Sequence, residues 1–320
     1  MVVYSGKDVS VLFVKQSDYT TAGTPDNDIG YVQSVTTDEN NNIQKIAAVG
    51  SRAYQDLVAA GYNSSLSVEY IFQHGRGLEA ALGTVAHDAT NTPDIKHTYT
   101  LDTDAFLPAY TMAIGKNGSS DIDAVYTGAV CNSLGLSLDV NGVLTARQDF
   151  ITQHVDVDTT AAAQVLDNLA VYPYFQATVT TGGKTAAIVQ SCNINFTNNP
   201  IDVRALGSRY LQEGRCAGNL DIEVSMKLAI DKDYYEDFLG GSAPTETSTP
   251  TAQSFELDIT NGTALASGRR QVYFEITDAV WNSNAESIAI NDVVYMDLTA
   301  YSKNLNSFYT YDDITAANWV

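Results

Sequence analysis

Cationic side chains are scarce in this chain: Lys and Arg number 17 against 38 Asp and Glu, a formal charge of −21. That balance argues against a nucleic-acid binder, which gains affinity by neutralising phosphates with Lys and Arg. An acidic field repels DNA at distances within the screening length, and it also maintains solubility; charge alone leaves both readings open. Cysteine is nearly absent. Cys131, Cys192 and Cys216 are odd in number and show no CxxC spacing, so neither a disulfide framework nor a zinc site is supported. No run of eighteen apolar residues occurs, so no membrane span is expected. The start, MVVYSGKDVSVLFVKQ, lacks the basic region and apolar run of a secretory signal. Apolar residues make up 44% of the 320 positions and charged ones 17%, a globular composition with room for one large core or two ordinary ones.

Catalytic signatures are missing as well. The four histidines (His74, His87, His97, His154) fit no HExxH spacing, and there is no GxSxG elbow. TTGGKT resembles a phosphate loop at its end, but position 178 is Thr where the pattern needs Gly, so a hairpin turn is expected. DNDIG, residues 26–30, imitates the opening of a calcium loop, yet the twelfth position is Thr37 instead of Glu. Pairs such as Asp102 and Asp104, or Asp156 and Asp158, are ordinary in so acidic a chain. No enzyme activity, cofactor or metal is expected.

What the sequence does contain is a repeat. VQSVTTDENNNIQKIAAVGSR, residues 32–52, returns as VQSCNINFTNNPIDVRALGSR at 189–209, with nine of twenty-one positions identical; chance gives roughly one or two. Leu82-Gly83 matches Leu239-Gly240, and Thr92-Pro93 matches Thr249-Pro250, at the same offset. AVCNSLGLSLDVNGVL (129–144) pairs with AVWNSNAESIAINDVV (279–294) at an offset of 150. Such self-similarity predicts one fold used twice, residues 1–160 and 161–320. Within each half the pattern is β. SLSVEYIF, NLDIEVSM and QVYFEITDAV alternate with period two. VTTGGKTAAIV reads as a hairpin turning at Gly182-Gly183. Helical pattern is confined to GRGLEAALG and DKDYYEDFLG, with AYQDLVAAG (53–61) a third candidate.

The passage LGLSLDVNGVLTARQDF allows a register argument. Leu134, Leu136, Leu138 and Val140 share one face before the turn; Leu144, Ala146 and Phe150 are apolar after it. A three-residue loop or a bulge aligns the two sets, whereas a strict two-residue turn opposes them. In the second copy Ile288 and Ile290 precede the turn, and Val294, Met296 and Leu298 follow it. The opposite, polar face then carries Ser137, Asp139, Thr145, Arg147 and Asp149, with Ser287, Tyr295 and Asp297 as counterparts. It is either a solvated surface or the lining of a pore.

A duplicated β domain without an active site points to assembly, because strand edges must be paired or covered and a ring of heterologous contacts does so. If each half fills one sixth of a ring, three chains close it. Lectin-like or adhesive sandwiches, which close nothing, remain the alternative; they are expected to expose clustered aromatics, for which Tyr172, Tyr174, Tyr234 and Tyr235 are candidates.

The chain resembles the major tail tube proteins of long-tailed viruses with non-contractile tails. The resemblance is carried by DVSVLFV, the loop ending in VGSR, TGAVCNSLGLSLDVNGVLTARQDFI (127–151) and LGSRY (206–210). It implies a mainly β fold of two tandem tail-tube-type sandwich or barrel domains, each with one short flanking helix, whose strands join those of neighbours. Most members of the family place one such fold per chain in hexamers, and some duplicated members form trimeric rings with pseudo-sixfold symmetry; stacked rings make a tube through which double-stranded DNA leaves the capsid unbound. The acidic face then lines the lumen. The long loops holding Asn41, Asn42, Gly50, Ser51 and Arg52, and Asn198, Asn199, Gly207, Ser208 and Arg209, are candidate subunit or ring contacts. The implied partners are further copies of the chain, a tape measure protein, and tail terminator or tail tip proteins. The implied location is the virion tail, assembled in the host cytoplasm away from any membrane; a contractile or secretion tube stays open.

Overall fold

Two long strands, β9 (Ile122–Asp139) and β17 (Gln271–Ser287), organise the fold. In the computed structural model, which describes residues 9–101, 106–116, 122–158, 166–167, 169–186, 188–212, 217–229, 232–246, 248–287 and 293–319, each of them runs through two layers. The crossing needs a backbone hinge, placed at Gly128 (φ 63) in β9 and at Asp278 (φ 22) in β17. Only glycine takes the first conformation freely, and a Cβ at Gly128 would lie 2.9 Å from Gln153 Cβ. The hinges are 150 residues apart, the same spacing as the repeated sequence passages.

The last parts of β9 and β17 belong to one eight-stranded antiparallel sheet. Its order is β2 (Tyr31–Asn40), β5 (Asn63–Ile71), β10 (Thr145–Thr152), β9, β14 (Val189–Thr197), β15 (Asp221–Ala229), β18 (Tyr295–Ser302), β17. The first four strands come from the first half of the chain and the last four from the second. Their irregularities coincide. Gln33 in β2 and Gln190 in β14 are the extra residues of two bulges, 157 apart. Asn132 in β9 and Asn282 in β17 are the extra residues of two more, 150 apart.

Two flanking sheets cover one face of this sheet. The first contains β1 (Val9–Lys15), β8 (Tyr110–Lys116), the start of β9 and β11 (His154–Asp158). The second runs β6 (Gly83–Asn91), β7 (Asp94–Leu101), β19 (Ser307–Asp312), the start of β17, β16 (Gln253–Thr260), β12 (Ala177–Thr181) and β13 (Lys184–Thr185). Strand β7 of the first half thus pairs with β19 of the second. The fold is the mainly β sandwich expected, and the described residues close no barrel among themselves.

Period-two alternation sets the core. Ile222, Val224, Met226 and Leu228 of β15, with Met296, Leu298 and Ala300 of β18, are buried. Phe196 of the eight-stranded sheet lies 6.2 Å, centroid to centroid, from Phe308 and 5.8 Å from Phe274 of the flanking layer. The aligned register expected for β9 and β10 holds, Leu136 facing Ala146. Val140 does not join the core; it sits exposed in the Asp139–Gly142 turn, where Asn141 adopts φ 67. Gln148 occupies a fully buried core position instead, donating to Gly77 O over 2.6 Å. Ile288 and Ile290 lie outside the described residues.

Helices α1 (Arg76–Leu82) and α2 (Lys232–Leu239) fall where the sequence predicts them. The third helical candidate does not form. Its residues instead supply β4 (Asp56–Ala59), paired with β3 (Ile43–Ile46) in an exposed hairpin. A short helix is marginal in water unless a face packs on the core, as α1 does; residues 56–59 are exposed, and the hairpin pairs the inward backbone groups of both strands. The matched Thr-Pro dipeptides differ too: Thr92-Pro93 sits in the tight turn between β6 and β7, while Thr249-Pro250 lies in a loop.

Candidate functional site

Strand alternation gives the eight-stranded sheet one apolar and one polar face. Ser137, Asp139, Thr145, Arg147, Asp149, Tyr295 and Asp297 all occupy the polar face, and Ser287 pairs with Tyr295 at its end. The face also holds Asp38, Glu69, Asp221, Glu223 and Lys227, which reasoning from the hairpins alone passed over. Continuing the alternation of SLSVEYIF and NLDIEVSM outward from the core finds Glu69 and Glu223.

Carboxylates dominate this surface, and its two cations are locally matched. Arg147 lies opposite Glu69, and its Nε is 3.3 Å from Asp149 Oδ1. Lys227 lies opposite Asp297, with Nζ 5.4 Å from the centre of the Tyr295 ring. For Asp149, partial burial pushes the carboxyl upward, but hydrogen bonds from Ser67 and Ser133 and the charge of Arg147 prevail and hold it below the usual carboxylate range. By formal charge the seven carboxylates at positions 38, 69, 139, 149, 221, 223 and 297 outnumber Arg147 and Lys227, so the face is net negative.

The edges of the sheet are the second feature. Where the halves meet, β9 and β14 pair from Ser133–Thr197 to Asp139–Ser191, burying Leu134, Leu136, Leu138, Cys192, Ile194 and Phe196. The corresponding strands at the two ends have no such neighbour among the described residues. β2 pairs only with β5, and its residues 36–40 are exposed. The end of β17 pairs only with β18, and Asn282, Ser283, Ala285 and Glu286 are exposed.

The repeated Gly-Ser-Arg passages fold alike. Gly50 and Gly207 have φ 89 and 95. Ser51 Oγ donates to Ala53 O over 2.8 Å and accepts from its N–H over 3.2 Å; Ser208 Oγ does the same with Tyr210 at 3.3 and 3.1 Å. Asn42 and Asn199, at φ 47 and 46, donate to Gly61 O and Asn219 O. The arginines differ. Arg209 Nε donates to Ala60 O over 3.2 Å and Nη2 to Asn41 Oδ1 over 2.7 Å, tying the second half to the first. Arg52 is exposed at the tip of its loop. Asn198 is no surface contact: it is buried, and its amide donates to Ala81 O and Cys131 O, fastening α1 to β9.

Elsewhere, polar groups are knotted into the core. Asp28, His74 and Asp167 bring potential ligand atoms within 4.8 Å of one another. Arg76 Nη1 already stands between the carboxylates, 3.0 Å from Asp28 and 2.6 Å from Asp167, so a guanidinium bridges the pair. Arg76 Nη2 donates to Asn318 O over 2.6 Å, which ties the end of the chain to α1. Trp319 stacks on His97 at 4.0 Å and donates to Glu79 over 3.1 Å. TTGGKT forms the expected hairpin, Thr181 facing Lys184. The tyrosines of the adhesive alternative do not form a shared exposed cluster: Tyr172 and Tyr234 are buried.

A two-layer β sandwich with an acidic face and, among the described residues, an exposed strand edge at each end of one sheet is an assembly unit in form. Compared with known families, residues 6–295 match the phage tail tube protein family. The chain belongs to that family. A comparison with curated proteins finds no match. As a family member it is a structural subunit of a viral tail tube, located in the virion tail.

Proposed function

We propose that three copies of this tail tube protein close each ring, that each chain contributes two equivalent domains (1–160 and 161–320), and that stacked rings enclose an acidic lumen conducting genomic DNA. The observation that carries this reading is the β9–β14 junction: its counterparts on β17 and β2 are exposed at opposite ends of the same sheet. A contact between unlike edges repeats head to tail, and it closes when the rotation returns to the start. Eight strands per chain make twenty-four per ring. At ~4.8 Å spacing and ~40° tilt, the backbone cylinder is about 48 Å across, which leaves room for a duplex.

The polar face then turns inward. Asp38, Glu69, Asp139, Asp149, Asp221, Glu223 and Asp297 repel phosphate, while Arg147 and Lys227 are held by neighbouring carboxylates or rings and attract little. Beyond the strand ends, past the Asn40–Asn63 and Thr197–Asp221 pairs, lie the loops at Gly50–Arg52 and Gly207–Arg209, whose preceding residues, Val49 and Leu206, are fully exposed; they suit contacts between rings. The tape measure protein, the terminator and the tip proteins are partners that this reading adds from the role of a tube. Electron microscopy of the purified protein tests it. Hollow tubes or annuli are expected, and discrete monomers at high concentration across a range of salt would contradict it.

A further inference from the structure

The free edges specify one register between chains. Two internal correspondences fix it. Strands β9 and β17 share pairing pattern and bulge at an offset of 150: Ser137–Thr145 and Ser287–Tyr295 are equivalent pairs, and the bulges fall at Asn132 and Asn282. Strands β2 and β14 do so at 157, with bulges at Gln33 and Gln190. Within the chain, Ser133 to Ser137 of β9 pair with Thr197 to Asn193 of β14.

Carrying that junction to the exposed edges, we infer that residues 283–287 of one protomer pair antiparallel with residues 40–36 of the next. Ser283 faces the partner's Asn40, Asn284 the partner's Glu39, Ala285 the partner's Asp38, Glu286 the partner's Thr37, and Ser287 the partner's Thr36. This rests on the ring reading above and adds the partner atoms to it.

The register exposes a chemical difference between the two junctions. On the core side, the junction inside the chain places Leu134 against Phe196 and Leu136 against Ile194, all buried. The junction between chains places Asn284 against Glu39 and Glu286 against Thr37. Glu39 is already directed to that side, since Tyr126 Oη donates to its Oε1 over 2.9 Å. The Asn284 Nδ2 to Glu286 Oε1 contact, at 3.4 Å, likewise aligns the other edge. The two glutamates become diagonal neighbours on one face, and like charges so placed oppose pairing. Polar and charged edges also keep free chains from pairing at random. Association is therefore deliberately weak at each strand pair and depends on screening of Glu39 and Glu286.

Engineered disulfides test the register in the full chain carrying Cys216→Ser; Cys131 and Cys192 are buried and out of reach of the edges. Two pairs are made, Asp38→Cys with Ala285→Cys and Thr37→Cys with Glu286→Cys. One of two adjacent antiparallel pairs is of the closer, non-hydrogen-bonded kind that suits a disulfide. Shifted controls combine Asp38→Cys with Ser283→Cys or with Ser287→Cys. Oxidation is expected to link at least one in-register pair well above both controls, the ladder on a non-reducing gel ending at three chains. A link that is strongest in a shifted control, or absent while annuli are visible by microscopy, overturns the register and leaves the ring intact. In-register links ending at another number keep the register and overturn the trimer. Absence of both links and annuli overturns both. Independently, Glu286→Gln is expected to lower the concentration needed for assembly at low salt, and the difference is expected to shrink as salt is added; equal assembly at low salt would contradict the role given to Glu286.

Discussion

Arg209 reaches from the second half of the chain to the first, its Nη2 lying 2.7 Å from Oδ1 of Asn41 while its Nε meets the Ala60 carbonyl. Tyr62 N returns a bond to the Arg209 carbonyl over 2.8 Å, so the loop is clasped from both directions. Arg209→Ala is expected to lower folding stability by about 1 kcal/mol, the contribution of charge-assisted bonds at an exposed site. Arg52 ends an equivalent turn without an equivalent clasp among the described residues. Arg52→Ala is expected to leave the urea midpoint unchanged and to weaken assembly, as measured by sedimentation. A drop in midpoint equal to that of Arg209→Ala would show that the two turns do not divide these tasks.

Removing Arg76 is expected to be far costlier. Its guanidinium is buried between Asp28 and Asp167 and also holds the Asn318 carbonyl. Arg76→Ala leaves Asp28 buried without its guanidinium partner, and breaking such a buried pair costs about 3–5 kcal/mol. Burial raises the Asp28 carboxyl, but His74 and Arg76 together bring it below its usual range. Chemical denaturation checks the effect, and a loss under about 1 kcal/mol would contradict the knot's importance.

Acid is expected to loosen the contact between the halves. His87 of β6 has Nδ1 2.7 Å from Nδ1 of His97 on β7, and His97 Nε2 lies 2.8 Å from Asp312 of β19, both histidines beside Trp319. Burial, with the neighbouring His97, lowers the His87 pKa below 6.5, although Glu79 and Asp312 act the other way. The unfolded chain therefore binds a proton more readily, and stability present above 6.5 is lost as pH falls toward the depressed value. The thermal midpoint is expected to fall between roughly pH 7 and 5, less steeply in His87→Asn. Equal slopes would remove His87 from the account.

Lumen charge makes a separate prediction. Tubes of the wild-type protein are expected not to retain duplex DNA at about 0.1 M salt. Replacing Asp149, Glu223 and Asp297 by Lys is expected to produce binding that weakens steeply as salt rises. Binding by the wild type, or none by the substituted tubes, would show that this face does not meet the duplex.

Much of this architecture is legible in the sequence because its determinants are local. The alternation in NLDIEVSM places Ile222, Val224 and Met226 in the core, and the Gly182-Gly183 turn fixes its own hairpin. The polar face follows once the register of one hairpin is known. What escaped is decided by distant pairing. Residues 56–59 read as helix because their strand partner, Ile43–Ile46, lies across a long loop. Asn198 sits among polar loop residues and looks exposed, yet its amide is buried by α1, which is more than a hundred residues away in sequence. A buried ion pair such as that of Arg76 with Asp28 and Asp167 carries no periodic signal at all.

The most direct test is a cryo-electron microscopy projection down the axis of an assembled tube. The expected image is an annulus with strict threefold symmetry and six similar wedges, its wall a continuous sheet in which residues 283–287 run beside residues 36–40 of the next chain. Six chains per ring, or a wall in which β2 and β17 face solvent, would contradict the account.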